Sequence, residues 1–320
     1  MLSLDDVRRA AERIQPYVTR TPLERSATLS TLIGQDVWLK LECFQRTGSF
    51  KLRGALNALQ SLPEDQRRKG VVTASAGNHG LGVARAAAVL GTKATVVVPE
   101  TASQAKIDAL QHSGAELQLH GANYDAAEAA GRELARERQL AFISAYNDPD
   151  VVAGGGTIAL EILDELPTTR TLVVPAGGGG LIGGIGLAVH GLDAHNLTVC
   201  GVQSEASPAL HAAKRAGRLV PVEIKDSLAD GLAGNVEQGS ITLDLIKNYV
   251  ADIVLVSEAD IARGMKFALE HEHVLIEGSA AVGIAALQTH ALELPRGPVV
   301  VVLTGRNVAA SVLRQYVFDS

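Results

Sequence analysis

At 320 residues, with 47% apolar and 20% charged side chains, the chain has the composition of a soluble globular protein and length for one large core or two modest ones. A formal net charge of -6 and the lack of any basic run exclude the cationic face that nucleic-acid binding requires, and no apolar stretch approaches a membrane span. The N-terminus mixes Asp5, Asp6, Arg8 and Arg9 into an amphipathic pattern, and the two cysteines, Cys43 and Cys200, lack metal-ligand spacing, so a reducing, cytoplasmic compartment is expected.

Ser3 with Asp6 makes a capping pattern ahead of Val7, Ala10, Ala11 and Ile14, which predicts a first helix ending at Pro16. Thr21-Pro22-Leu23 reads as a turn, and Val37, Leu39 and Leu41 alternate with Trp38 and Lys40 as a strand. That strand feeds Thr47-Gly48-Ser49-Phe50-Lys51-Leu52-Arg53-Gly54, where a lysine opens a helix carried on by Ala55, Leu56, Ala58 and Leu59. A cation is disfavoured in a helix's first turn. The same field, with burial beside Phe50, lowers the ammonium's pKa toward the neutral amine that Schiff-base chemistry needs. A plain surface lysine is the alternative.

The polar segment from Ser61 to Gly70, with Pro63, reads as a linker at a domain boundary. Beyond it, short apolar strands at Val71 to Thr73, Ala94 to Val98, Leu117 to Leu119 and Ala141 to Ile143 alternate with helical patterns at Val83 to Leu90, Ala105 to Gln111 and Ala126 to Leu140. A second series has strands near Leu172 to Val174, Thr198 to Val202, Ile253 to Val256 and Val299 to Leu303. Such alternation predicts an α/β fold with two open parallel sheets. Residues 70–147 are expected to form a small domain that closes over substrate. Residues 1–62 and 149–320 are expected to form a discontinuous larger domain, on whose sheet the lysine helix and the N-terminal helix pack.

In open parallel sheets ligands bind beyond the carboxyl ends of strands. Three strand ends carry chemistry. Ala74-Ser75-Ala76-Gly77-Asn78-His79-Gly80 presents backbone N–H groups at a helix start and suits a carboxylate or phosphate; the alternative is an ordinary turn capped by Asn78. Gly177-Gly178-Gly179-Gly180 follows a strand, costs backbone entropy and is read as gaining nothing by packing, so close approach of an anion explains it. By the letter, Gly178, Gly180 and Gly183 with Glu205 also fit a dinucleotide fingerprint. Thr304, in Thr304-Gly305-Arg306-Asn307, is either a turn former or a hydroxyl partner for a ring nitrogen.

Taken together the loops separate the cofactors. A hydride-transfer enzyme has no use for Lys51 or for a second anion loop, whereas pyridoxal phosphate uses a lysine, a phosphate loop and polar partners for its ring. The segments "GSFKLRGA", "TASAGNHGLGVA", "VVAGGGTIALEI", "PAGGGGLIGG", "SLADGLAG" and "LTGRN", in order from about Pro22 to Asn307, resemble the serine/threonine dehydratase and serine racemase family of fold type II pyridoxal-phosphate enzymes, whose architecture is tryptophan synthase β-like. The resemblance implies that Lys51 holds the cofactor as an imine and serves as the catalytic base. It further implies that Phe50 flanks the ring, Asn78 binds the ring hydroxyl and Thr304 meets the ring nitrogen. Gly177, Gly178, Gly179 and Gly180, with Leu181, would hold the phosphate, and Ser75, Ala76, Gly77, Asn78 and His79 the substrate carboxylate. The expected reaction is dehydration and deamination of a β-hydroxy amino acid such as threonine or serine to a 2-oxo acid and ammonia, by a homodimer.

Departures from the family pattern refine this. Racemases of the group place a serine where Ala76 stands, and that hydroxyl reprotonates the opposite face; its loss argues against racemisation. Arg306 replaces a small residue and is expected either to discourage ring-nitrogen protonation or meet a substrate group, or else to be exposed. Glu205 is the only acid in the Gln203 to Ala209 segment, where cation-stimulated members carry several, so no metal is expected. Asp230 and Gly231 lie in a loop that the family brings near substrate, and the chain stops shortly after Asn307, which suggests a catabolic or unregulated form. The alternatives are a racemase, a 3-hydroxyaspartate or phenylserine dehydratase, a dinucleotide-dependent oxidoreductase, and a cofactor-binding protein without catalysis.

Overall fold

The computed structural model describes residues 2–194 and 196–318. Its strands are β1 (Leu23–Ser26), β2 (Val37–Lys40), β3 (Val71–Ala74), β4 (Ala94–Val98), β5 (Glu116–Leu119), β6 (Ala141–Phe142), β7 (Thr171–Pro175), β8 (Thr198–Ser204), β9 (Asp252–Val256) and β10 (Val299–Val302). They form a six-stranded sheet in the order β1-β2-β10-β7-β8-β9 and a four-stranded sheet in the order β5-β4-β3-β6. All four strands of the smaller sheet are parallel. The larger is parallel except for β1, which pairs antiparallel with β2 at one edge.

The layering follows from side-chain alternation. In β10, Val299 and Val301, with Leu303 beyond, face the Glu258–His271 and Gly278–Gln288 helices; Val300 and Val302 face the Pro149–Glu165 and Gly180–Gly191 helices. Because both faces are covered, the strand is apolar throughout, as parallel strands in α/β proteins are. The smaller sheet takes every strand between Val71 and Phe142, and the larger takes the strands on either side of that span.

Two expectations are corrected. The Ser61 to Gly70 segment contains a helix, Glu64–Lys69, with Glu64 and Asp65 in its first turn and Arg67, Arg68 and Lys69 in its last. These charges complement the helix dipole, and with no buried face they leave no apolar period to read. The Lys51–Ser61 helix also does not simply lie on the larger sheet. It is wedged between the Asn78–Val89 and Pro149–Glu165 helices, and Leu52, Ala55, Leu56 and Leu59 share a core with Val71, Val83, Ala86, Ala87 and Val151. Glycines permit this. A Cβ on Gly154 would lie 2.6 Å from the Arg53 carbonyl oxygen, one on Gly54 2.8 Å from that of Val151, and one on Gly82 3.1 Å from the Lys51 carbonyl carbon. The N-terminal helix, Leu4–Ile14, sends Val7 and Ala10 into the larger sheet's core and Ile14 into that of the lysine helix.

Candidate active site

The lysine turn is pinned to the end of β10. Phe50 N donates to Thr304 O at 3.0 Å, Arg306 N to Gly48 O at 2.9 Å, and Ser49 bridges Gly305. Gly48 has φ +74, and a Cβ there would lie 2.5 Å from Asn307 Oδ1, so the turn needs glycine for its backbone and for room. Two segments far apart in the chain thus meet through main-chain bonds.

Lys51 is the first residue of its helix and half-buried; its Nζ donates to Ala145 O at 2.8 Å and lies 5.3 Å from the centre of the Phe50 ring. Burial lowers its pKa to about 8, against an opposing pull from Glu277. The direction agrees with the sequence reading, and the leading cause is burial.

Asn78 opens the Asn78–Val89 helix, but it is not the cap: Gly77 holds that position without a side-chain bond. The Asn78 amide instead donates from Nδ2 to Glu277 Oε1 at 2.7 Å and accepts at Oδ1 from Asn307 Nδ2 at 2.7 Å. Glu277 is buried and accepts a second bond, from Asn307 N at 3.1 Å. Burial, with Asp230 nearby, pushes its pKa up to about 8, while the bonds from Asn78 and Asn307 pull it down. In the same loop, Ser75 Oγ accepts from Gly77 N at 3.1 Å, and the Ala76 methyl packs beside the Val96, Val98 and Leu110 cluster. His79 is buried, with Nε2 3.1 Å from Ile143 O and Nδ1 without a partner. Burial first, then Lys51, lower its pKa to about 3, so the ring is neutral.

The glycine run follows β7 into the Gly180–Gly191 helix. Its reading as a stretch without packing value is corrected. The Tyr146 ring lies against Gly178, where a Cβ would come 2.5 Å from the ring, and the Tyr146 carbonyl lies where one on Gly180 would fall. Gly179 has φ +93 and abuts Thr242, which donates to Gly178 O at 2.8 Å, and Gly177 abuts Leu232. Gly183, third in the dinucleotide pattern, packs on Leu245. Close packing thus accounts for much of that pattern. The run still ends in a helix N-terminus, whose free N–H groups suit an anion. Leu181 buries its side chain in the core, so only its backbone faces that end.

Lys51, Asn78, His79, Thr304 and the loop at Ser75 to Gly77 therefore converge, and the segment at Ala145 and Tyr146 joins Lys51 to the glycine run. Thr304 is buried at the end of β10. Arg306 is exposed, with its guanidinium 5.2 Å from the centre of the Phe44 ring. Sequence reasoning missed Asn307, Tyr146 and Glu277 as parts of this site. Asn307 was visible in "LTGRN" without a partner to give it meaning, and nothing near Tyr146 marked it. Arg53 was missed likewise. It is fully buried, held at 2.8 Å by each of two bonds to Glu42 and at 2.6 and 2.9 Å to Glu161, whose Oε2 also accepts from Lys40 Nζ at 2.7 Å.

With this geometry in view, similarity to known proteins is informative. An L-threonine ammonia-lyase of Thermotoga maritima is 41% identical over 313 residues, spanning 98% of this chain and 77% of the relative. The catabolic L-threonine dehydratase TdcB of Staphylococcus aureus is 39% identical over 312 residues, spanning 96% and 90%. The structure of maize serine racemase superposes with a TM-score of 0.93 at 31% identity, over 98% of this chain and 96% of that one. The sequence pattern described as pyridoxal-phosphate dependent enzyme matches residues 14–305, and the chain belongs to that family, with the fold type II architecture.

Proposed function

We propose that this protein is a pyridoxal-phosphate-dependent ammonia-lyase that converts a β-hydroxy amino acid, threonine or serine, to a 2-oxo acid and ammonia, acting in the cytoplasm as a homodimer. The observation that carries the reading is the Lys51 amine, half-buried, lowered toward neutrality and set between the Ala145 carbonyl and the Phe50 ring. The residues present fit the cofactor. His79 Nδ1 is a buried polar atom without a hydrogen-bond partner, in a ring that feels the charge of Lys51, and Ser49 Oγ, two residues before Lys51, is another; Lys51 in turn bonds Ala145, whose neighbour Tyr146 packs on the glycine run.

When bound, pyridoxal phosphate supplies an aldehyde for the amine and an electron sink for the α-carbon. In this proposal the backbone of Gly177 to Gly180 and the Leu181 N–H hold the phosphate, Phe50 flanks the ring, Asn78 meets the ring hydroxyl and the Thr304 hydroxyl meets the ring nitrogen. The backbone from Ser75 to His79 orients the substrate carboxylate, and the neutral His79 ring adds no charge to compete for it. Lys51 Nζ then removes and holds the α-proton, a role its pKa of about 8 suits. Thr304 is a neutral partner and cannot hold the ring nitrogen protonated as a carboxylate would. Ala76 presents a methyl where a racemase needs a proton donor, which favours elimination over racemisation. Residues 70–147 are the domain that closes over substrate, and residues 1–62 and 149–320 the domain that holds the cofactor.

The test begins with purified protein. It should be yellow, and borohydride should bleach it and leave the label on Lys51. Release of 2-oxo acid is then measured for threonine, serine, 3-hydroxyaspartate and phenylserine. The Lys51→Ala variant should lose turnover by at least about 10³-fold while keeping its fold. A colourless protein, or turnover that survives that substitution, would end the proposal. A sizing measurement checks the dimer.

A further inference from the structure

The amide of Asn78 is held from both sides, and the polarity of its hydrogen bonds is dictated by main-chain groups. At one end the Thr47 carbonyl accepts from Asn307 Nδ2 at 2.9 Å, so the Asn307 side chain must turn its nitrogen inward. That nitrogen spends its second hydrogen on Asn78 Oδ1 at 2.7 Å. At the other end the Asn307 backbone N–H, which can only donate, meets Glu277 Oε2 at 3.1 Å. The remaining carboxyl oxygen, Oε1, accepts from Asn78 Nδ2 at 2.7 Å. Asn78 is left with one unspent hydrogen on Nδ2 and no freedom to turn its amide over. Glu277 is fixed in its turn: its own N–H donates to Gly305 O at 3.1 Å, and a Cβ on Gly305 would lie 2.5 Å from Oε1, so glycine is required for the carboxylate to sit there.

We propose that Glu277 is a positioning residue that acts through Asn78, locking its amide so that an N–H donor, rather than a carbonyl lone pair, meets the cofactor's ring oxygen. This rests on the reading of Asn78 and Lys51 given above. A donor at that point stabilises the ionised ring oxygen and with it the yellow form of the bound cofactor; an acceptor would stabilise the protonated oxygen and the form that absorbs in the near ultraviolet. Sequence alone conceals the role, since Glu277 lies 199 positions from Asn78 and outside the glycine loops.

The substitution Glu277→Gln is isosteric but breaks the polarity. The Gln oxygen must turn to the Asn307 N–H, so its NH2 faces the NH2 of Asn78, and that amide either flips or is pushed away. The double variant Glu277→Gln with Asn78→Asp mends every hydrogen bond, because the introduced carboxylate accepts from both the Gln amide and Asn307 Nδ2. It also preserves net charge, yet it offers only acceptors to the ring. The absorption spectrum of each holoprotein, its melting temperature, and the borohydride label on Lys51 are measured side by side at about pH 9, where Glu277, with a pKa of about 8, is ionised and accepts at both oxygens. The expected result is a shift of the single variant from a mainly yellow to a mainly near-ultraviolet spectrum with a lower melting temperature. In the double variant the melting temperature returns toward wild type while the spectrum stays shifted. A yellow single variant would overturn the inference, as would a double variant that regains the yellow form. Failure of the double variant to fold would also overturn it, because its bonds are all satisfied. If the wild-type protein carries no label on Lys51, the fault lies in the reading of the site, and this inference falls with it.

Discussion

Burial brings the proton affinities of Lys51 and Glu277 together, and the charge of Glu277 pulls that of Lys51 part of the way back up. Glu277 is raised from 4.5 to about 8 and Lys51 lowered from 10.5 to about 8. For Glu277 the folded state favours the neutral form, so its ionisation costs stability progressively as pH rises from about 4.5 to about 8. For Lys51 the folded state also favours the neutral form, so the cost of its charge is relieved as pH rises from about 8 to about 10.5. The stability of the cofactor-free protein should therefore dip near pH 8 in denaturant titrations. Glu277→Gln should flatten the decline on the acid side, and an unchanged slope between pH 5 and 8 would show that burial does not act on this carboxyl as described. The lowered pKa of Lys51 could be read from the sequence because its setting is written locally, in a glycine, a hydroxyl and a ring beside it. Glu277 could not, because its meaning comes from Asn78 and Asn307, which only the fold brings to it.

The lysine helix shows the same division one level up. Its period and start were legible, but its neighbours were not, since all eight residues from Leu52 to Leu59 are buried and no single apolar face points to one partner. Arg53 is the extreme case: an arginine in an apolar run that reads as surface until Glu42, Glu161 and Lys40 are seen around it. Each hydrogen of that guanidinium is taken up, including bonds to Thr157 Oγ1 and Thr19 O. A buried pair is strongly damaged when one partner is removed, because the other charge is left without compensation. Arg53→Met should thus cost about 3 to 5 kcal/mol by urea unfolding. A loss under 1 kcal/mol would mean the carboxylates are rehydrated in the variant. The polar segment before Gly70 was misread for the reverse reason: the Glu64–Lys69 helix buries nothing, so its signal lay in charge order and not in apolar spacing.

At the scale of the whole molecule, the two parallel sheets were the most legible feature, because strands covered on both faces are written as unbroken apolar runs. The contacts that join them across the site were not. Lys106, on the helix between β4 and β5, pairs with Asp230 at 2.7 Å, and Arg132, on the helix between β5 and β6, pairs with Glu237 at 2.9 Å. Both pairs are largely exposed, so each contributes about 1 kcal/mol or less and is screened by salt. If they favour closure over substrate, Lys106→Ala should raise KM for the amino acid by up to roughly fivefold with little change in kcat, and the difference should shrink in high salt. An equal fall in kcat at unchanged KM would place Lys106 in chemistry instead of closure.

Arg53 sits two residues beyond Lys51 on one helix, and its guanidinium is gripped by carboxylates from two separate elements. That grip works as a rotation stop. A helix clamped so close to its first residue cannot roll about its own axis, so the Lys51 amine keeps its bearing even when the loops around it are exchanged. Substrate preference in this scaffold should therefore be open to change by grafting the Ser75 to Gly77 and Asp230 to Leu232 loops, with the amine left as a fixed reference for whatever pocket is built around it.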